Sequence, residues 1–542
     1  MDCKEFALSA FLDVEGAFDN TSFDTIVEAL NNHNVPPIIS KWVLEMLQKR
    51  QLKVSLRNVE SNKIPARGCP QGGVLSPLLW ILVADSLLRK ISMLGFNVVG
   101  YADDFVIVSK GKYLETVYDR MQTALRAVED WCSETGLTVN PAKSSIVLFT
   151  KNRSFRVTKA LKLYGKDLEL SASVKYLGVT FDSKLTWNAH ITERIDKSCR
   201  IFGQCRRAFG LKWGLKPRYI HWIYTMVVLP YLTYGCSVWW QRGEIRAVQA
   251  RLNHLQRLGC LGITGALKST PTAAMEIMLG LLPLHIFIEK TARATAFRLA
   301  STGYKISEDF SGLRIIWERM VEEDSILQGP CDLIPREVST VKQFSVIIPS
   351  RGDFSTIASS LNLPNSNVFF CDGSGQNGLA GAGIYCNFLQ FKASISLGSY
   401  NTVFQSELFA IIYCIEKCMR EFIIEKPIVI FSDSQSVLKA LKSYVIDSAL
   451  LLQCIKYLNN MALVVPIKLV WVPGHSSVPG NTIADELARL GSSNNFVGPN
   501  PCLPITKNWF KSRLEVWSVN KHTAYWSNLD TCLNTKLYFD KT

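Results

Sequence analysis

The chain has 542 residues, 48% of them apolar, which is enough for several hydrophobic cores and excludes a disordered or fibrous protein. A net charge of +14 points to a polyanionic partner, most often nucleic acid. The 15 cysteines are odd in number and lack a C-x-x-C pair or a histidine at ligand spacing, so reduced thiols are expected rather than a disulfide framework or a zinc site.

The charge is uneven. Residues 151–300 hold 24 Lys/Arg against 8 Asp/Glu, a net of +16, whereas residues 362–495 hold 9 of each. The first of these segments is the candidate nucleic-acid surface, and the second reads as an ordinary balanced domain. The start, Met-Asp-Cys-Lys-Glu-Phe, shows no basic stretch followed by an apolar one, so no signal peptide is expected. Tyr219 to Gln241 lacks Asp, Glu, Lys and Arg, but Pro230 and several polar residues favour a broken pair of buried helices over a membrane span.

In chain order, Phe6–Leu12 reads as a buried strand that begins almost at the first residue, and a missing N-terminal part is expected. Residues 22–50 read as helical, Lys53–Leu56 as a short strand and Pro77–Ile91 as a buried helix. Phe96–Gly100 and Phe105–Val108 read as two strands joined by the tight turn Tyr101-Ala102-Asp103-Asp104. An amphipathic helix over Leu114–Glu134 ends at Gly136, and strands follow at 145–149 and 174–181. Residues 190–300 are helical and basic, interleaved with Trp213, Trp222, Trp239 and Trp240. Residues 301–361 lose periodicity and read as a linker. A new domain begins near 364. It runs strand Val368–Cys371, Gly-rich turn 373–375, strands near 380–397, helix Gln405–Phe422, strand Ile428–Ser432, helices 434–443 and 448–461, strand Ile467–Val472 and helix 482–490. The tail 496–542 carries no strong pattern.

Two constellations carry chemistry. In the first, Asp13 ends an apolar strand and Asp103 and Asp104 sit side by side on a hairpin turn. Adjacent carboxylates between buried strands repel and desolvate poorly, so divalent cations are the expected remedy. Between them lies Arg67-Gly68-Cys69-Pro70-Gln71-Gly72-Gly73, a turn that lets backbone and Gln71 approach a ligand closely.

These segments, with Leu137-Thr138-Val139-Asn140-Pro141-Ala142-Lys143 and Tyr176-Leu177-Gly178-Val179, resemble the reverse transcriptases of non-long-terminal-repeat, jockey-like retrotransposons in order and spacing. The resemblance implies a right-hand polymerase palm. Asp13, Asp103 and Asp104 would be its metal-holding catalytic residues. Phe18 would exclude a ribose 2′-hydroxyl, Gln71 would contact nucleotide and template, and Lys143 would lie near the triphosphate. It also implies a thumb over 190–300. The motif Ser269-Thr270-Pro271-Thr272-Ala273-Ala274-Met275-Glu276 through His285 fits that family, and a structural role is expected for it. The family's fingers, which grip the incoming triphosphate, would precede Asp13, where only twelve residues stand.

In the second constellation, Asp372 and Asp433 follow strands, Glu407 and Asp485 lie on helices, and His475 sits on a Gly/Ser/Pro loop. Four converging carboxylates could hold two divalent cations, and such a histidine could move protons near neutral pH. Over residues 364–495 this resembles a type 1 ribonuclease H domain. That likeness implies Asp372, Glu407, Asp433 and Asp485 as metal ligands, with His475 assisting.

The fold class expected is mixed α/β and α+β. It comprises a partial palm over 1–189, a basic helical thumb over 190–300, a linker over 301–361, a ribonuclease H domain over 362–495 and a tail over 496–542. The expected activities are cleavage of the RNA strand of RNA–DNA hybrids and, by resemblance, RNA-directed DNA synthesis impaired by the missing fingers. Each active site would use two Mg²⁺ or Mn²⁺ ions. The partners would be RNA–DNA hybrid, RNA template, DNA primer and deoxynucleoside triphosphates, with no membrane, in the nucleus or cytoplasm. The alternative is a non-catalytic nucleic-acid-binding remnant.

Overall fold

The computed structural model describes residues 5–56, 59–152, 156, 159–206, 215–304, 306, 311–334, 337–338, 341–360, 363–376, 378–421, 425–474, 478–499 and 501–539. The chain divides into two compact units, Met1–Arg200 and Ile201–Thr542.

The first unit is built on a four-stranded antiparallel sheet. Its order is Asn97–Tyr101, Asp104–Gly111, Phe6–Asp13 and Ser145–Phe149. Phe6–Asp13 is central, and Leu8, Ala10 and Leu12 alternate into the core as a two-residue period requires. The helices Ser76–Met93 and Leu114–Thr135 pack into the same core through Leu79, Trp80, Val83, Leu87, Met121, Leu125 and Trp131. The longer helix stops where Gly136 takes a left-handed conformation, φ 69°. The strand expected over 174–181 is a hairpin instead, Ser173–Tyr176 against Val179–Asp182. Leu177 and Gly178 turn between them with positive φ, a break that the apolar pattern does not announce.

The second unit joins a helical region to a six-stranded sheet. Residues 219–241 form short helices with a π-helical turn at Tyr224–Val228, and Pro230 stands at the start of the next helix. No single described helix is long and apolar enough to cross a membrane, although the bent pair Thr272–Leu279 and Leu284–Ser301 passes on length and composition. Trp239 and Trp240 are core residues, Trp222 is exposed, and Trp213 lies outside the described residues.

The six-stranded sheet has the order Ser345–Ile347, Ile467–Trp471, Ile428–Ser432, Asn367–Gln376, Leu379–Cys386 and Phe391–Gly398. The first four strands are parallel to one another, and Leu379–Cys386 runs antiparallel to both of its neighbours. The Gly-rich segment 373–375, expected as a turn, continues the strand to Gln376 and pairs with Leu379–Cys386. The helix Val403–Arg420 begins with a capping box. Thr402 accepts from the Gln405 backbone, and Gln405 accepts from the Thr402 backbone.

Residues 301–361 are not a plain linker. Ser311–Glu323 is a helix, Ser345–Ile347 is an edge strand of the sheet, and Asp332 caps the helix Ala449–Ala462 by accepting from Ser448 Oγ at 2.8 Å and Leu450 N at 2.9 Å. The tail is also structured. Lys507–Ser527 forms a helix laid on Leu284–Ser301, with Phe297 and Phe510 stacked at 3.8 Å, Lys290 paired to Glu515 at 2.6 Å and Arg293 over Trp517 at 4.1 Å. The helix Lys507–Ser527 hides its pattern because its buried face mixes Phe510, Ser518, His522 and Trp526 with the aliphatic Leu514.

Candidate active sites

In the second unit, the parallel pairing of Phe370 with Phe431 carries Asp372 and Asp433 to the same level, each two residues further along its chain. Glu407 arrives from the helix Val403–Arg420. Gly373 permits that approach, since a Cβ there would stand 2.3 Å from the Glu407 backbone nitrogen. The carboxylate oxygens of Asp372, Glu407 and Asp433 meet within 4.8 Å of one another, and among the described residues they are the one such acidic group. Asp372 and Glu407 are 5% and 6% exposed.

Burial pushes the Asp372 carboxyl up to about 8, and the neighbouring Asp433 and Asp485 add to it. Burial also raises Glu407 well above the usual carboxylate range, reinforced by Asp372 and Asp433. Glu407 Oε2 is buried without a hydrogen-bond partner. A buried orphan acceptor among crowded carboxylates is costly by itself and is what a divalent cation satisfies, so the residues present fit such an ion. Trp471 fixes the Asp433 segment, its Nε1 donating to the Asp433 carbonyl at 3.0 Å. The spacing of Trp471 in the sequence gave no sign of that role.

Asp485 does not join the other three. It lies on the helix Pro479–Ser493, and Arg489 pairs with its carboxylate at 2.7 Å. His475 lies outside the described residues.

In the first unit, Asp13 pairs in register with Asp104 across the central strands. Val14 N donates to the Asp103 carbonyl at 3.1 Å, and Asn140 N donates to the Asp13 carbonyl at 3.1 Å. The turn that bears Asp103 is held by Trp80, whose Nε1 donates to the Ala102 carbonyl at 2.7 Å, while Ala102 adopts φ 53°. Here the three carboxylates are not drawn together as they are in the second unit. Asp103 is exposed, and Lys143 Nζ lies 3.0 Å from Asp13 Oδ2. Burial raises Asp104, helped by Asp103 and Asp13. Phe18 is half-buried with its ring 6.0 Å from that of Trp80, and Gln71 is exposed on its loop. Tyr176 presents a buried, unpartnered hydroxyl whose titration is raised by burial and by Asp104.

Residues 4–181 match the reverse transcriptase (RNA-dependent DNA polymerase) family, and residues 364–493 match the RNase H family. The chain is 26% identical over 308 residues to the putative 115 kDa protein in type-1 retrotransposable element R1DM of Drosophila melanogaster, covering 56% of this chain and 29% of that protein. It is 28% identical over 269 residues to the RNA-directed DNA polymerase from mobile element jockey of the same organism, covering 46% of this chain and 28% of that protein. The chain thus spans less than a third of the length of either relative. RNase H1 from Halobacterium salinarum is a similar solved structure, at 20% identity with a TM-score of 0.20, covering 23% of this chain and 96% of that one.

Proposed function

We propose that this chain, a homologue of R1 and jockey retrotransposon polyproteins with a reverse transcriptase domain and a ribonuclease H domain, cleaves the RNA strand of RNA–DNA hybrids. The observation that carries this reading is the buried trio of Asp372, Glu407 and Asp433, whose oxygens lie within 4.8 Å of one another. These residues, with Asp485, would hold two Mg²⁺ or Mn²⁺ ions. Bound there, such ions supply Lewis-acid polarisation of a phosphate oxygen and ready deprotonation of water.

The protein's own part is positioning. Two parallel strands and the helix Val403–Arg420 fix the carboxylates before substrate arrives, so little reorganisation remains for the reaction. His475 would move a proton near the leaving oxygen. The basic segment 151–300 would hold the hybrid through phosphate contacts, which are blind to base sequence, while 2′-hydroxyls and groove shape mark the RNA strand. The reverse transcriptase domain would extend a DNA primer on an RNA template with deoxynucleoside triphosphates, through Asp13, Asp103 and Asp104 beside Phe18, Gln71 and Lys143. Both activities belong to an intracellular element acting in the nucleus or cytoplasm.

The test is a hybrid labelled on its RNA strand, incubated with the full chain with and without Mg²⁺. Metal-dependent cleavage is expected, and Asp433→Asn should abolish it while hybrid binding stays nearly intact. Undiminished cleavage by Asp433→Asn would overturn the assignment.

A further inference from the structure

Asp485 stands beside the carboxylate trio without entering it. Its charge reaches Asp372, yet its oxygens are taken by Arg489 one helical turn away. Arg489 Nη2 lies 2.7 Å from Oδ2, and Nε donates to Oδ1 at 3.1 Å. A two-point grip of this kind fixes the plane of a carboxylate as well as its position.

The helix cannot supply the missing approach by moving. Its backbone lies directly on the sheet. A Cβ at Gly383 would stand 2.2 Å from the Ala484 carbonyl, and one at Gly491 would stand 2.5 Å from the Ile395 carbonyl. Backbones packed this closely leave no room for sliding. The reach of Asp485 toward the trio is therefore set by its side-chain rotamer, and Arg489 selects that rotamer. The pair is also breakable. Side-chain exposures of 27% for Asp485 and 49% for Arg489 put it in the range of weak surface ion pairs.

Resting on the reading of the trio as a cation site, we infer that Arg489 is a positioning residue that holds Asp485 out of the trio and competes with divalent cations for it. A cation entering the site draws Asp485 across, and the Arg489 grip is lost. Arg489 thereby weakens cation binding and keeps the fourth carboxylate exchangeable.

The test is calorimetric titration of the full chain with Mn²⁺, without nucleic acid. Arg489→Ala should bind about threefold to fivefold more tightly than the wild type. Arg489→Lys keeps the charge but cannot grip two oxygens, and it too should bind more tightly. Adding Asp485→Asn to Arg489→Ala should erase the gain. Unchanged or weaker binding by Arg489→Ala overturns the inference. So does wild-type affinity in Arg489→Lys, which would reduce the effect to charge, or a gain that survives Asp485→Asn. Asp372→Asn separates this failure from a deeper one. If it leaves Mn²⁺ affinity untouched, the trio is not the cation site and the proposed function fails. If it abolishes binding while both Arg489 variants match the wild type, only the positioning role fails.

Discussion

Asp13, Asp103 and Asp104 in the first unit face the same electrostatic problem as Asp372, Glu407 and Asp433 in the second. In the first, Lys143 sits 3.0 Å from Asp13, and Asp103 looks into solvent. The protein and the water neutralise those charges between them. In the second, two of the three carboxyls are buried, Glu407 Oε2 has no partner, and among the described residues no basic side chain pairs with the trio. The repulsion is left for a bound proton or a cation to relieve. The difference teaches that carboxylates alone do not make a preorganised metal site; what matters is whether the fold withholds every other counter-charge.

Removing a charge from each site breaks this comparison most directly. Asp372→Asn should lower RNA-strand cleavage on the order of a thousandfold. It should also raise the cation-free melting temperature, because the cost of burying or protonating that carboxyl is gone, and cancel the further rise that Mg²⁺ gives the wild type. Asp104→Asn should leave both the cleavage rate and the Mg²⁺-induced rise in place. Calorimetric melting with and without Mg²⁺ reads both variants, and an equal Mg²⁺ response in Asp372→Asn and wild type would erase the distinction.

A smaller effect is expected from the packing that holds the trio. Gly373→Ala would drive a methyl group into the Ser406–Glu407 backbone, with the nearest atom at 2.3 Å. The strand and helix must part, at a cost of about 2–4 kcal/mol in stability. The Mg²⁺ response should shrink with it, since Glu407 leaves its place. Denaturant melts with and without Mg²⁺ check both effects. A Gly373→Ala protein as stable and as responsive as the wild type would show that the close approach is not what positions Glu407.

Much of this was legible in the sequence, for definite reasons. Asp13, Asp103 and Asp104 sit at strand ends marked by apolar runs, and Asp372 and Asp433 come directly after apolar runs of the same kind, although the strand bearing Asp372 continues to Gln376. The helix carrying Glu407 is legible over most of its length, though the sequence reading starts it at Gln405 and the structure at Val403, after the Thr402 cap. What stayed hidden depends on side-chain direction or on distant partners. The sequence puts Asp485 with the other carboxylates, but only the i, i+4 grip of Arg489 shows that it points away. The indole hydrogen bonds of Trp80 and Trp471 to the Ala102 and Asp433 carbonyls appear only in three dimensions. The edge strand Ser345–Ile347 is too short to show a period, and its partner lies more than a hundred residues away. The helix Lys507–Ser527 has no clean apolar stripe, because it meets Leu284–Ser301 through stacked rings and charged pairs rather than aliphatic side chains.

Glu276 sharpens the comparison by separating burial from repulsion. It is a buried carboxyl, 2% exposed, on the helix Thr272–Leu279. Burial pushes it up to about 7, and a hydrogen bond from Gln256 opposes the shift. Tyr525 and Cys260 lie near it, and both are themselves shifted toward their neutral forms. In the unfolded chain the group ionises near its ordinary value of 4.5. Between about 4.5 and 7 the folded protein therefore keeps a proton that the unfolded chain has released. Stability contributed by the neutral carboxyl is complete below this window and falls as pH rises through it, by roughly 3 kcal/mol in all. Glu276→Gln keeps the shape and the hydrogen-bonding capacity without the titration, so its stability should exceed that of the wild type at pH 8 and match it near pH 4.5. His522, pushed down to about 4 by burial and by His285, acts in the opposite direction over an overlapping range. It is common to both proteins, so the difference between them isolates Glu276. Denaturant unfolding at pH 5, 6, 7 and 8 measures that difference. A gap that stays constant across the series would mean that Glu276 is already ionised in the fold, and that burial on the helix Thr272–Leu279 does not hold its proton.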